Sequence, residues 1–255
     1  MLANGTNRSV VSVPGAASCQ PQAPQTGWWW NPAEAGRGFS LEVRGNNLFF
    51  ASYLYDASGR STWYAATGAT SLDGALFNGR LLAFANGQTL TGAYRAPGPA
   101  VDGGALTLAF NDATHGVLSW PGGSLPIERF NFAANGLAAA PLAAQPENGW
   151  WWNAQEGGRG FFLEWQGPNA FVAGYMYDAV GSPLWYASFA TTPDVRAFDG
   201  VWTQFANGQT LTGAYRPAAP VSPSVGALGI RFQDAANATL TLPDGRQVPI
   251  ARFRF

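Results

Sequence analysis

GFSLEVRGNNLFFASYLYDASG, running from Gly38 to Gly59, decides the fold class. Phe39, Leu41 and Val43 alternate with Ser40, Glu42 and Arg44; Phe49, Ala51, Tyr53 and Tyr55 alternate with Phe50, Ser52 and Leu54. A period of two marks strands, because successive side chains point to opposite faces. The GNN at Gly45 and the DASG at Asp56 supply turns, since Gly and Asn tolerate positive φ. LDG at Leu72, ANG at Ala85 and PGG at Pro121 continue the punctuation, and no capped amphipathic stretch of helical length interrupts it.

The stretch occurs twice. GFFLEWQGPNAFVAGYMYDAVG runs from Gly160 to Gly181, inside a gapless match of Gly27–Ala65 to Gly149–Ala187. The copies share GWWWN, E-x-GRGF-x-LE, F-x-A-x-Y-x-YDA-x-G and WYA. FANGQTLTGAYR recurs unbroken at Phe84–Arg95 and Phe205–Arg216, and both copies close on I-x-RF-x-F at Phe132 and Phe255. A tandem duplication follows: a leader over 1–26, one unit over 27–132, an Ala/Pro-rich linker over 133–148, and a second unit over 149–255. Turn spacing predicts an all-β chain of two small antiparallel meanders with about eight strands each. Exposed edges are usually blunted by Lys or other charge. This chain has no Lys and only 11% charged residues. Closure into barrels, which removes edges, is therefore favoured over open sandwiches.

Composition narrows function. A net charge of −1 without a basic cluster argues against nucleic acid. One His and one Cys leave no metal set and no disulfide framework. His115 has no counterpart in the second unit, Ser and Cys lack an activating partner, and Glu34 with Glu42 has no spacing that brings two carboxylates to one site. No catalysis and no cofactor are expected. No transmembrane segment is expected, and an outer-membrane barrel is disfavoured because the RFRF ending of the second unit is matched inside the chain at Phe132. The leader lacks a convincing export signal, and Cys19 behind Ala16-Ala17-Ser18 is a weak candidate for a lipid anchor.

What remains is aromatic. Phe49/Phe171, Ala51/Ala173, Tyr53/Tyr175 and Tyr55/Tyr177 are identical between copies and fall on one strand face, while the opposite face varies but stays apolar. One face would meet the lumen and the other a second apolar surface such as the partner unit. Two phenols on an inward face would supply the few polar groups of a ligand pocket. Trp28 and Trp30 share a face and Trp29 takes the other, as do Trp150, Trp152 and Trp151. They read either as a plug sealing a barrel or as a stacking platform. Glu42, repeated as Glu164, sits within a strand among apolar neighbours and needs a cation. Arg37, Arg95 and Arg129 are candidates, and a ligand contact is the alternative.

These motifs resemble a group of uncharacterised bacterial proteins with the same GWWWN, GRGF, YD-x-x-G and WY signature, similar to the β-flower family. The resemblance covers both units. It implies shallow antiparallel barrels with an apolar interior and splayed hairpins, and no activity. The expectation is a secreted or periplasmic bacterial protein binding an apolar or aromatic small molecule, a lipid or a glycan in Trp/Tyr-lined barrel cavities. Trp28, Trp30, Tyr53, Tyr55 and Trp63 would form the walls in the first unit, and Trp150, Trp152, Tyr175, Tyr177 and Trp185 in the second. Arg37 with Glu42, and Arg159 with Glu164, would anchor polar atoms. A structural or adhesive module with its aromatics as core is the alternative.

Overall fold

Each alternating run becomes a strand and each Gly/Asn cluster a turn. The computed structural model describes residues 23–255; the candidate anchor Cys19 lies outside the described residues. The first barrel runs β1 (Gly27–Trp30), β2 (Gly38–Arg44), β3 (Asn47–Tyr55), β4 (Ser61–Ala69), β5 (Leu76–Ala83), β6 (Val101–Phe110), β7 (His115–Trp120) and β8 (Gly123–Arg129). The second runs β9 (Gly149–Trp152), β10 (Gly160–Gln166), β11 (Asn169–Tyr177), β12 (Pro183–Thr191), β13 (Ala197–Ala206), β14 (Ala219–Phe232), β15 (Asn237–Thr241) and β16 (Gln247–Arg252). Both are closed antiparallel meanders, sealed where Trp29 faces Arg129 and where Trp151 faces Arg252. Among the described residues the helical content is a single 3₁₀ turn, Gly136–Ala138, between the barrels.

The units begin slightly earlier than their glycines suggest. The Gln25 carbonyl accepts the Trp29 indole N–H, and Thr26 Oγ1 accepts the Val43 N–H. Glu147 and Asn148 repeat both bonds to Trp151 and Trp165.

The lumens are filled. Trp29, Phe39, Leu41, Leu48, Phe50, Leu54, Phe77 and Leu118 pack the first, and Trp151, Phe161, Val172, Met176, Phe198, Trp202 and Leu240 the second. On β3 and β11 the lumen therefore takes the face that varies between copies (Phe50/Val172, Leu54/Met176). The invariant face, with Tyr53, Tyr55, Tyr175 and Tyr177, points outward against the other barrel. This corrects the expected barrel-lumen pocket. A lumen asks only for apolar volume, so it accepts swaps that preserve filling.

The barrels join through equivalent, nearly identical patches meeting about a pseudo-twofold axis, much as in an isologous dimer. Trp63 donates its indole N–H to the Met176 carbonyl at 3.2 Å, and Trp185 donates to Leu54 at 3.2 Å. The repeated ANGQ segments are exchanged. Asn86 N–H donates to the Gly181 carbonyl and Asn207 N–H to that of Gly59, both at 2.7 Å; the Gln88 carbonyl accepts from Tyr177 N–H and the Gln209 carbonyl from Tyr55 N–H. Asn86 and Asn207 hold φ of 64° and 65°, a region Asn tolerates.

A Cβ on Gly87 would lie 2.0 Å from the Tyr177 ring, and one on Gly208 would lie 2.0 Å from the Tyr55 ring. Gly87→Ala and Gly208→Ala are thus expected to force the seam apart and to lower stability by about 1–3 kcal/mol each in urea denaturation. Parent-like midpoints for both would show that the exchanged segments do not pack on the opposite barrel.

Candidate functional site

The site is built by a row of small residues. Trp28 faces Ser40, Ser40 faces Ala51 and Ala51 faces Ala65; in the second barrel Trp150, Phe162, Ala173 and Ala187 occupy the same register. Alanines leave troughs into which rings of the opposite barrel descend. Trp28 lies 4.7 Å from Phe171 and 4.8 Å from Phe162, Trp150 lies 4.8 Å from Phe49, and Tyr53 meets Tyr175 at 4.9 Å between centroids. Such tilted and edge-on pairs are favoured by ring quadrupoles.

Two ring-walled cavities lie along this seam. One of about 390 Å³ is walled by Trp28, Trp30, Arg37, Tyr53 and Tyr55 of the first barrel with Phe171, Trp185 and Phe205 of the second. Its mate, of about 310 Å³, is walled by Trp150, Trp152, Arg159, Tyr175 and Tyr177 with Phe49, Trp63 and Phe84. Every aromatic singled out from sequence lines one of them, but the grouping is crossed. Trp63 belongs with the second unit's residues and Trp185 with the first's. Trp30, Phe171 and Phe205 are half-buried, as are Trp152, Phe49 and Phe84. Phe171, Phe205, Phe49 and Phe84 were not anticipated as wall residues, although all four are repeated between copies.

Arg37 and Arg159 enter from the GRGF bends. Arg37 pairs with Glu34 at 2.5 Å and lies 4.9 Å over the Trp120 ring. Arg159 pairs with Glu156 at 2.5 Å and also donates to the Leu90 carbonyl. Burial lowers the pKa of both guanidinium groups, against the opposing pull of their carboxylates. The Glu34–Arg37 bridge is therefore mostly internal on its arginine side. Gln209 and Gln88 clamp the two glutamates from the opposite barrels, at 3.2 and 3.1 Å.

Glu42 and Glu164 line neither cavity. They lock the seam instead. Glu42 Oε1 accepts from Arg252 Nη2 at 2.5 Å and Arg44 Nε at 3.0 Å, while Oε2 accepts from Trp150 N–H at 2.6 Å. Glu164 accepts from Arg129, from Gln166 Nε2 at 2.9 Å and from Trp28 N–H at 2.6 Å. The cation common to both carboxylates is thus the Arg129-type residue of the other unit, in place of Arg37, Arg95 or Arg129 of the same unit, and Glu42 pairs with Arg44 of its own unit as well. The expected polar anchoring by Glu42 and Glu164 is corrected with it, because both oxygens of each buried carboxylate are already engaged by the protein. Glycine precedes each Trp triplet for the same reason. Gly27 and Gly149 have φ of 146° and 122°, and a Cβ there would lie 2.2 Å from Arg129 Nη1 and from Glu42 Oε2.

At the centre the twofold is broken. Tyr175 shares a 3.0 Å hydrogen bond with Ser40, whereas Phe162 stands where Ser40's counterpart would be, and the Tyr53 hydroxyl has no partner of good geometry. Burial holds both phenols well above their ordinary pKa, and Tyr55 and Tyr177 are raised by burial too. They remain neutral across the physiological range. His115 is exposed and hydrogen-bonded to Asp112 within its own turn. Asp56 and Asp178 cap their turns through Asx bonds from the N–H groups two and four residues ahead.

Breaking one buried pair strands a charge. Glu164→Gln or Arg129→Gln, the pair in which neither residue has a second ionic partner, is expected to cost about 3–5 kcal/mol in chemical denaturation; a loss below about 1 kcal/mol would mean that the pair does not hold the seam. The central asymmetry yields a contrast between equivalent substitutions. Tyr175→Phe should cost about 1 kcal/mol by orphaning Ser40 Oγ, while Tyr53→Phe should be neutral or stabilising. Equal losses at the two positions would rule out the hydrogen-bond asymmetry.

Comparison with protein-family models, with curated proteins and with solved structures gives no match to this chain. Among the described residues no helix is long and apolar enough to cross a membrane.

Proposed function

We propose that this protein is a non-catalytic binding module that holds an apolar or aromatic small molecule in the paired cavities between its barrels. One observation carries the proposal: two ring-walled cavities of about 390 and 310 Å³ open along the seam, each walled by aromatics that are repeated in both units. Both volumes fall in the range of small-molecule sites, which are mostly apolar with a few placed polar groups. A cleft left along an interface forfeits dispersion contacts between the surfaces that line it. Two copies of the same void, walled by residues kept identical in both units, fit occupancy better than poor packing.

A structural role is favoured for part of the aromatic set. Trp63 and Trp185 spend their N–H groups across the seam, and Tyr55 and Tyr177 pack on the exchanged glycines. Trp30 and Trp152 are different: they are half-buried at the cavity walls, and no hydrogen bond ties them across the seam.

Intrinsic Trp fluorescence, titrated with naphthalene derivatives, a long-chain fatty acid and an oligosaccharide, tests the proposal. Saturable change with the ring compounds is expected, weakened roughly two- to tenfold by Trp30→Ala or Trp152→Ala. A response to the fatty acid or oligosaccharide alone would redirect the proposal to lipid or glycan. No response to any of the three would sink it.

A further inference from the structure

We infer, resting on the binding role just proposed, that the ligand is an elongated apolar molecule whose tail leaves the cavity around Trp30 and Phe171 over Phe189, and that Phe189 makes this cavity the tighter site. Among the described residues Phe189 is the one Phe or Trp that is exposed, at 52%. A single exposed ring is ordinary on a protein surface, but this one ends a series. Trp30 and Phe130, both in the cavity wall, have centroids 4.9 Å apart. Phe130 and the third wall ring, Phe171, reach Phe132 at 6.0 and 5.9 Å, and Phe132 meets Phe189 edge-on at 5.9 Å. Phe189 also stands directly across from Phe171 in the β11–β12 ladder. The rings before it are all half-buried. Apolar surface thus runs without a break from inside the cavity to solvent.

The second cavity has the same series up to its last ring. Trp152 reaches Phe253 at 4.9 Å, and Phe253 and Phe49 reach Phe255 at 6.0 and 5.6 Å. Across from Phe49 in the β3–β4 ladder, at the point that corresponds to Phe189, stands Thr67, exposed and at the cavity's edge. A compact ring held inside either cavity would not distinguish the two edges. A chain leaving the cavity would cover a phenyl ring at one site, and at the other a side chain with a single methyl and a hydroxyl that prefers water. Burial of apolar surface favours the first. An aromatic lip continuous with the wall therefore suits a ring body that carries an apolar tail.

The full chain is titrated calorimetrically with naphthalen-2-ylmethanol and with 8-(naphthalen-2-yl)octan-1-ol, uncharged probes that share one ring system and differ in chain length. The short probe is expected to bind both cavities with one affinity. The long probe should resolve two classes of site that differ about five- to tenfold, the effect of one or two buried methylenes. Phe189→Thr should merge the two classes at the weaker affinity, and Thr67→Phe should merge them at the stronger. Both positions are exposed, so neither exchange disturbs a core, and short-probe binding should stay as in the parent. Equal binding of the long probe at the two sites, or a difference that survives either exchange, would overturn the lip while leaving the binding role standing. Failure of both probes to bind would remove both.

Discussion

A carboxylate buried among aromatic rings has to meet a cation, and here each one meets it in the other barrel. Glu42 takes Arg252, Glu164 takes Arg129, and each also caps the first N–H of the opposite Trp triplet. Four residues thereby fix the rotation and spacing of one barrel against its neighbour. Apolar contact alone could not do so, because ring packing tolerates sliding and a guanidinium held by several directional bonds does not. The tryptophans are held in place as a result, and the cavities form where the two curved surfaces diverge from the locked centre. The geometry of the candidate site is set by an interaction that takes no part in the site itself.

The same lock explains where the two halves of the sequence agree. In an isologous interface one patch must fit its own copy, so a substitution perturbs the contact from both sides. Ala51, Tyr53, Tyr55 and the ANGQ segment each face a residue of the equivalent set, and each is identical in both units. The lumens carry no such requirement. Phe50 becomes Val172 and Leu54 becomes Met176 because each barrel fills its own interior independently.

Periodicity made the barrels legible in the sequence. Alternation of two, turns rich in Gly and Asn, and the lack of charge to protect open edges are local properties, and closure follows from them. The wall residues Trp28, Trp30, Tyr53 and Tyr55 were legible for the same reason: alternation places them together, and duplication marks them as special. Which side of the sheet they face was not. Inner and outer faces are both apolar here, so hydrophobicity cannot tell a lumen from an interface. Arg252 as the partner of Glu42 was hidden for a related reason. A unit read singly offers Arg129, and only the docking of two units shows that the equivalent residue arrives from the other barrel. Copy-to-copy identity, weighed face by face, was the discriminating feature: the face that stays constant is the one that must match itself.

Joining the two copies in one chain has a further consequence. A dimer of identical units would carry identical cavities, since every substitution would appear twice. Covalent duplication releases that constraint, and two of the places where it has been used lie near the axis. Ser40 is matched by Phe162, and Arg44 by Gln166. The first exchange withdraws a hydroxyl from Tyr53 and supplies one to Tyr175; the second trades a charged contact to Glu42 for an amide contact to Glu164. Neither disturbs the cross-barrel ion pairs or the ring walls. Divergence has therefore changed the polar groups of the seam while leaving its framework of ion pairs and ring walls in place.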